Sequence, residues 1–125
     1  MKVLIVDDEN DVRRIAKLSL TRLGGMAVHE AENGFHCLEI VAEIQPDLIL
    51  LDVMMPGMDG PSTLRALRAD PGTAQIPVIF ITAKSQRFET DSLCRLGAAG
   101  VVVKPFDPLR LPEEILSFLP VATVH

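Results

Sequence analysis

The amino-acid sequence predicts an α/β domain in which a parallel sheet carries helices on both faces. Three observations predict it. Short apolar runs alternate with amphipathic helical patterns five times along the chain, and such alternation over short connections gives parallel strands joined by crossover helices. The runs are mostly continuous Val, Ile and Leu, the pattern of strands buried on both faces. Several of them stop abruptly at Asp, Thr or Lys.

The first run, residues 3–6, halts at Asp7 and Asp8. Asn10 or Asp11 can cap the next helix, on which Val12, Ile15, Ala16, Ser19 and Leu23 share one face. Gly24 and Gly25 end it. Residues 26–31 alternate more and carry His29 and Glu30, as expected of an edge strand with one wet face. Asn33 and Gly34 open a second helix with Cys37, Leu38, Val41 and Ile44 at helical spacing, and Pro46 stops it. Residues 47–51 are the most apolar strand and run into Asp52.

The following loop is rich in Pro and Gly, and Pro61 suits the first turn of a third helix carrying Leu64 and Leu67. Asp70, Pro71 and Gly72 form a turn. Residues 76–81 read as the fourth strand, 85–96 as the fourth helix and 100–103 as the fifth strand. Asp107 and Pro108 make a turn. Pro112, with Glu113 and Glu114 near the positive end of the helix dipole, marks the last helix, which Pro120 closes.

Composition bounds the function. The 125 residues fit one domain, placed at 1–120 with a short tail at 121–125. At 48% apolar residues the chain can build an interior. No apolar run reaches the length of a membrane span, and the opening residues turn acidic at once, unlike a signal peptide. A formal charge of −5 without a Lys/Arg block argues against direct nucleic-acid binding. Cys37 and Cys94 match no metal or redox spacing and read as small buried thiols. His29, His36 and His125 have no metal-binding spacing either. A cytoplasmic protein is expected.

Asp7, Asp8, Asp52, Thr82 and Lys104 each follow an apolar strand. In a parallel sheet they gather at the carboxyl edge, where open α/β sheets bind ligands. Three carboxylates packed together raise one another's pKa unless a cation joins them. An all-oxygen cluster with water access suits Mg²⁺, with Mn²⁺ as the alternative. A metal, a carboxylate, a cation and a hydroxyl are what phosphoryl transfer requires. Each residue alone has an ordinary role: Asp52 as a turn cap, Thr82 as a strand-end hydroxyl, Lys104 as a surface charge. Their joint placement favours a shared site. Pro105 follows Lys104, and X–Pro is where a cis bond is tolerated.

VLIVDDE, LILLDVMMPGMDG, VIFITA and GAAGVVVKPF resemble, in order and spacing, the motifs of response-regulator receiver domains over essentially the whole chain. The resemblance implies a flavodoxin-like, doubly wound five-stranded sheet in the order 2-1-3-4-5. It implies that Asp52 accepts a phosphoryl group from a sensor histidine kinase or phosphotransfer domain. It further implies that Asp8 ligates Mg²⁺ directly, Asp7 through water, and Met54 through its backbone carbonyl. Thr82 and Lys104 would bind phosphoryl oxygens, and Gly57 would supply a tight bend in the loop. The phospho-form would shift the surface of the fourth helix, fifth strand and fifth helix toward a downstream target or output domain, or toward a homodimer. Such a protein phosphorylates and dephosphorylates itself rather than turning over a substrate.

Two departures from the family pattern stand out. Val101 occupies a position where the family often has Tyr or Phe, so a rotating aromatic is unavailable and the loop after Thr82 is the expected alternative route. Met54 and Lys84 flank the phosphoryl position, two residues past Asp52 and Thr82, and are expected to prolong the phospho-form. On the fourth helix Phe88, Leu93 and Leu96 read as core, and Arg87, Asp91, Arg95 and Arg110 as solvated charges. Met55, Pro56 and Met58 read as an exposed apolar spot beside the site or as loop packing.

Two other classes are weighed. A hydrolase with an aspartyl phosphate intermediate tends to carry a second acid two residues past the nucleophile, where Met54 stands. A pseudo-receiver usually lacks an acid, the acceptor or the lysine, all of which are present. A nucleotide-binding reading lacks the Gly-rich turn after the first strand.

Overall fold

A computed structural model describes residues 1–83 and 90–120. In chain order the elements are β1 (Lys2–Val6), α1 (Asn10–Arg22), β2 (Ala27–Ala31), α2 (Gly34–Ile44), β3 (Leu48–Asp52), α3 (Gly60–Ala69), β4 (Val78–Ala83), α4 (Thr90–Arg95), β5 (Gly100–Lys104) and α5 (Leu111–Ser117). All four strand pairings are parallel, in the order β2-β1-β3-β4-β5, as expected.

The two faces of the sheet bury alternate residues, because successive side chains in a strand point opposite ways. Leu4, Val6, Ile49, Leu51, Val78 and Phe80 pack with Cys37 and Val41 of α2, Leu64 and Leu67 of α3, and Leu93 of α4. Val3, Ile5, Leu48, Leu50, Ile79 and Ile81 pack with Ala16 and Leu20 of α1 and Leu111 and Ile115 of α5. β2 pairs only with β1 and has a mixed burial pattern, as an edge strand should.

Local signals explain most helix ends. Asn33 caps α2 by accepting the His36 N–H at 2.8 Å, and Asp59 caps α3 by accepting from Ser62 at the same distance. α2 closes on Gln45 at φ 50°, ahead of Pro46. At α1 the expected cap is absent: Glu9 is the N-cap and its side chain caps no helix N–H, while the Asn10 side chain is taken by Arg13.

The buried face of α1 also differs from the expected stripe. Arg13, Ala16, Ser19 and Leu20 point inward, whereas Ile15 and Leu23 are 44% and 57% exposed. Arg13 displaces the stripe because its guanidinium finds partners beneath the helix. β3, β4 and β5 run one or two residues further than their apolar cores, so Asp52, Thr82 and Lys104 lie within the pairing itself. Only Asp7 and Asp8 follow their strand.

Of the two readings left open for Met55, packing holds, and two further expectations change, for Cys94 and Leu96. Met55 is buried in the core rather than exposed, since its side chain packs inward while Pro56 turns out. Cys94 is exposed, because the short α4 turns Leu93 inward and Cys94 outward. Leu96, just past α4, is 38% exposed. The fourth helix is described from Thr90 only; Lys84, Arg87, Phe88, the tail 121–125 and His125 lie outside the described residues.

Candidate functional site

β1, β3, β4 and β5 bring their carboxyl ends together, and the acidic residues meet there. Asp7 is fully buried, Asp52 is 4% exposed, and Asp8 faces solvent. One carboxylate oxygen from each lies within 4.8 Å of the others. Asp52 pairs with Ile81 across β3 and β4, so Thr82 stands one step further toward the same edge. Lys104, at the end of β5, sends Nζ to 3.0 Å from Asp7 Oδ2, 3.3 Å from Glu9 Oε1 and 3.5 Å from Asp52 Oδ1. The Lys104–Pro105 peptide is cis, as expected.

Asp7 is held on several sides. Its N–H donates to the Ala31 carbonyl at 3.2 Å, and its Oδ1 accepts from the Glu9 N–H at 2.9 Å. Its carbonyl accepts from Arg13 Nη1 at 2.6 Å. Among the described residues, the buried Oδ2 is met by the Lys104 ammonium as an ion pair and by no other hydrogen-bond donor.

The electrostatics follow from this crowding. Burial, then the neighbouring Asp7 and less so Asp8, push the Asp52 carboxyl up to about 7, against the opposing pull of Lys104 and a backbone hydrogen bond from Met54. Burial likewise raises Asp7, opposed by the Glu9 backbone bond and by Lys104. Burial would lower Lys104, but Asp7, Asp52 and Glu9 together raise it. Ionisation of Asp52 at neutral pH is therefore favoured by a further cation in the cluster.

The donor set fits one. The oxygens of Asp7, Asp8 and Asp52 are hard ligands close enough to share an ion, and among the described residues the buried Asp7 Oδ2 has only the Lys104 ammonium beside it, leaving capacity for an ion or its water. No His or Cys joins the cluster among the described residues.

The loop geometry is built by two glycines. Gly57 adopts φ +83°, a left-handed bend that favours glycine. Gly60, which the sequence reading did not single out, packs so closely that a Cβ there would stand 2.5 Å from the Asp52 carbonyl oxygen. Met54 is 49% exposed beside the site. Among the described residues, Thr82 Oγ1 donates to the Ala83 carbonyl at a long 3.5 Å. Val101 is buried and pairs with Phe80, a fully buried aromatic on the same face.

Glu9 and Arg13 were also missed. A charged residue on the inward face of α1 was the available signal for Arg13. His29 and His36 stay outside the acidic cluster; His36 Nδ1 accepts the Glu32 N–H at 3.2 Å.

Comparison with known proteins agrees with this geometry. The family model for the response regulator receiver domain matches residues 3–116. Chemotaxis protein CheY-3 of Vibrio cholerae is 37% identical over 115 residues, covering 92% of this chain and 88% of that protein. Chemotaxis protein CheY of Pseudomonas aeruginosa is 40% identical, covering 92% and 93%. Among solved structures, CheY4 of Vibrio cholerae superposes with a TM-score of 0.84 at 30% identity, covering 94% of this chain and 98% of that one.

Proposed function

The chain belongs to the response regulator receiver domain family of two-component signalling, and from that premise we propose that residues 1–120 form a receiver in which Asp52 takes a phosphoryl group from a sensor histidine kinase or phosphotransfer domain. The observation that carries this reading is the burial of Asp52 at the carboxyl edge of the sheet, beside Asp7 and Asp8 and 3.5 Å from Lys104.

In this reading a carboxylate oxygen of Asp52 attacks phosphorus, the bond from phosphorus to the donor imidazole breaks, and an acyl phosphate results. Asp8 and the Met54 carbonyl would hold Mg²⁺ or Mn²⁺ directly, and Asp7 through water. When bound, that ion neutralises charge on the phosphoryl oxygens and on the carboxylates. Lys104 turns from Asp7 toward the new phosphoryl oxygens, and the Thr82 hydroxyl donates to another. Water attack at the same phosphorus returns Asp52, so the protein resets itself rather than turning over a substrate. Met54, half-exposed beside the acceptor, would screen that water, with Lys84 adding cationic stabilisation.

The output would run through α4, β5 and α5 toward a downstream target, an output domain or a second copy. Val103 of β5 is 44% exposed there. With Val101 and Phe80 packed together in place of a mobile aromatic, the route through the loop after Thr82 is favoured. A cleft of about 560 Å³ beside Lys104, lined by Val12, Ile15, Pro105, Phe106 and Pro108, offers an apolar seat for the phosphodonor. No described helix is long and apolar enough to cross a membrane, which accords with a cytoplasmic setting.

Incubation with Mg²⁺ and acetyl phosphate, followed by mass spectrometry, tests the assignment. One phosphoryl adduct is expected on the wild type and none on Asp52→Asn. An adduct that survives the substitution, or its absence from wild type, overturns the reading.

A further inference from the structure

We infer that Arg13 is a positioning residue for the cation site, aiming the Asp7 and Asp8 carboxylates by holding the peptide between them; this rests on the receiver reading above. Arg13 is 8% exposed, on the inward face of α1. A guanidinium so placed must be paired, since an isolated buried charge is costly. Its partners come from three directions. Nη1 donates to the Asp7 carbonyl at 2.6 Å, Nε to Glu30 Oε1 on β2 at 3.2 Å, and Nη2 to the Asn10 side chain.

The first bond matters for the site. Past Val6 the chain leaves the pairing with β2 and β3, and the Asp7 carbonyl accepts from Arg13 instead of from a neighbouring strand. The Asp7 peptide plane also carries the Asp8 nitrogen, so fixing that carbonyl sets the direction in which the exposed Asp8 side chain leaves the backbone. Asp7 is pinned separately through Ala31 and Glu9. Arg13 therefore acts on the relative aim of the two acids. Its charge is matched locally by Glu30, which Lys17 also approaches at 3.6 Å, so the effect on the site is one of orientation more than of charge.

Partners that orient metal ligands typically contribute about 10–100-fold to metal affinity. Titration of the full chain with Mn²⁺, reading free ion by electron paramagnetic resonance, measures this without relying on phosphorylation. Arg13→Met is expected to weaken Mn²⁺ by about 10–100-fold. Phosphorylation by acetyl phosphate should return to the wild-type rate at saturating cation. Arg13→Lys, which keeps the charge but not the fork of donors, should also bind more weakly, and it serves where the methionine variant fails to fold. Lys17→Gln removes a nearby positive charge without touching the Asp7 carbonyl and should bind Mn²⁺ as the wild type does.

Wild-type affinity in both Arg13 variants overturns the positioning role while leaving the cation site standing. Equal weakening by Lys17→Gln overturns it too, by making the effect one of charge. If the wild type binds no Mn²⁺, the site reading falls first and this inference with it.

Discussion

Lys104 Nζ stands 3.0 Å from Asp7 Oδ2, closer than its 3.5 Å approach to Asp52 Oδ1. Without a metal the lysine thus serves as the counter-ion of the buried pair, leaning toward the acid that is not the acceptor. Lys104→Met leaves both carboxylates uncompensated. The Asp52 carboxyl should then titrate above its value of about 7, as read by carbon NMR of the carboxyl groups. Thermal unfolding at neutral pH should show a loss of about 1–3 kcal/mol, which Mg²⁺ reduces.

Asp52 itself opposes folding at neutral pH. Its carboxyl titrates near 3.8 when unfolded and near 7 when folded, so the native state binds the extra proton between those values. The Asp52 contribution to stability is therefore fully present below pH 3.8 and is lost as pH rises through about 7. Asp52→Asn cannot ionise and escapes the loss. It should exceed the wild type in metal-free stability by on the order of 2–4 kcal/mol at pH 8 and match it near pH 4. Circular dichroism melts across that range check it, and a variant no more stable at pH 8 would sink the claim.

Mg²⁺ stabilisation should show the opposite pH trend. Cation binding requires the ionised carboxylates, so the ion competes with the proton on Asp52. At tenfold excess over the dissociation constant it adds about 1.4 kcal/mol. That gain should shrink as pH falls below the Asp52 value of about 7. Melts with Mg²⁺ and with a chelator, at pH 6 and pH 8, measure the difference.

Met54 lies half exposed beside the acceptor, where a polar amide would hold water that a thioether does not. Met54→Asn should speed loss of phosphate from the phospho-form by about tenfold, equivalent to roughly 1.4 kcal/mol of barrier. A time course of adduct decay by mass spectrometry is the check; an unchanged rate removes Met54 from the rate control.

The layers of the fold were legible because continuous apolar runs, helical spacing and Gly/Pro punctuation are local properties. Asn33, Pro61 and Pro112 announced helix starts by chemistry that acts within one turn. The site was legible because strand direction alone collects Asp7, Asp52, Thr82 and Lys104 at one edge. What stayed hidden depends on distant partners. Arg13 turns inward for the Asp7 carbonyl and for Glu30 on another element. Met55 is buried by helices that precede and follow it in sequence. The order of the strands came from motif resemblance, since periodicity does not say which strand neighbours which.

Gly60 joins fold and site most directly. Its N–H donates to the Val53 carbonyl at 2.8 Å, and an added Cβ would meet the Asp52 carbonyl oxygen at 2.5 Å and Val53 Cα at 2.9 Å. These neighbours are backbone of the acceptor strand, so relief must come from displacement of α3 or of Asp52 itself. Gly60→Ala should cost about 1–3 kcal/mol, the range for overpacking a filled interior, despite the better helix propensity of alanine. Because the displaced atoms carry the acceptor, phosphorylation by acetyl phosphate should slow in the fraction that remains folded. Gly72→Ala, where an added Cβ comes no nearer than 3.4 Å to the Asp70 side chain, should leave that rate unchanged. Equal phosphorylation rates in the two variants would show that α3 can shift without moving Asp52.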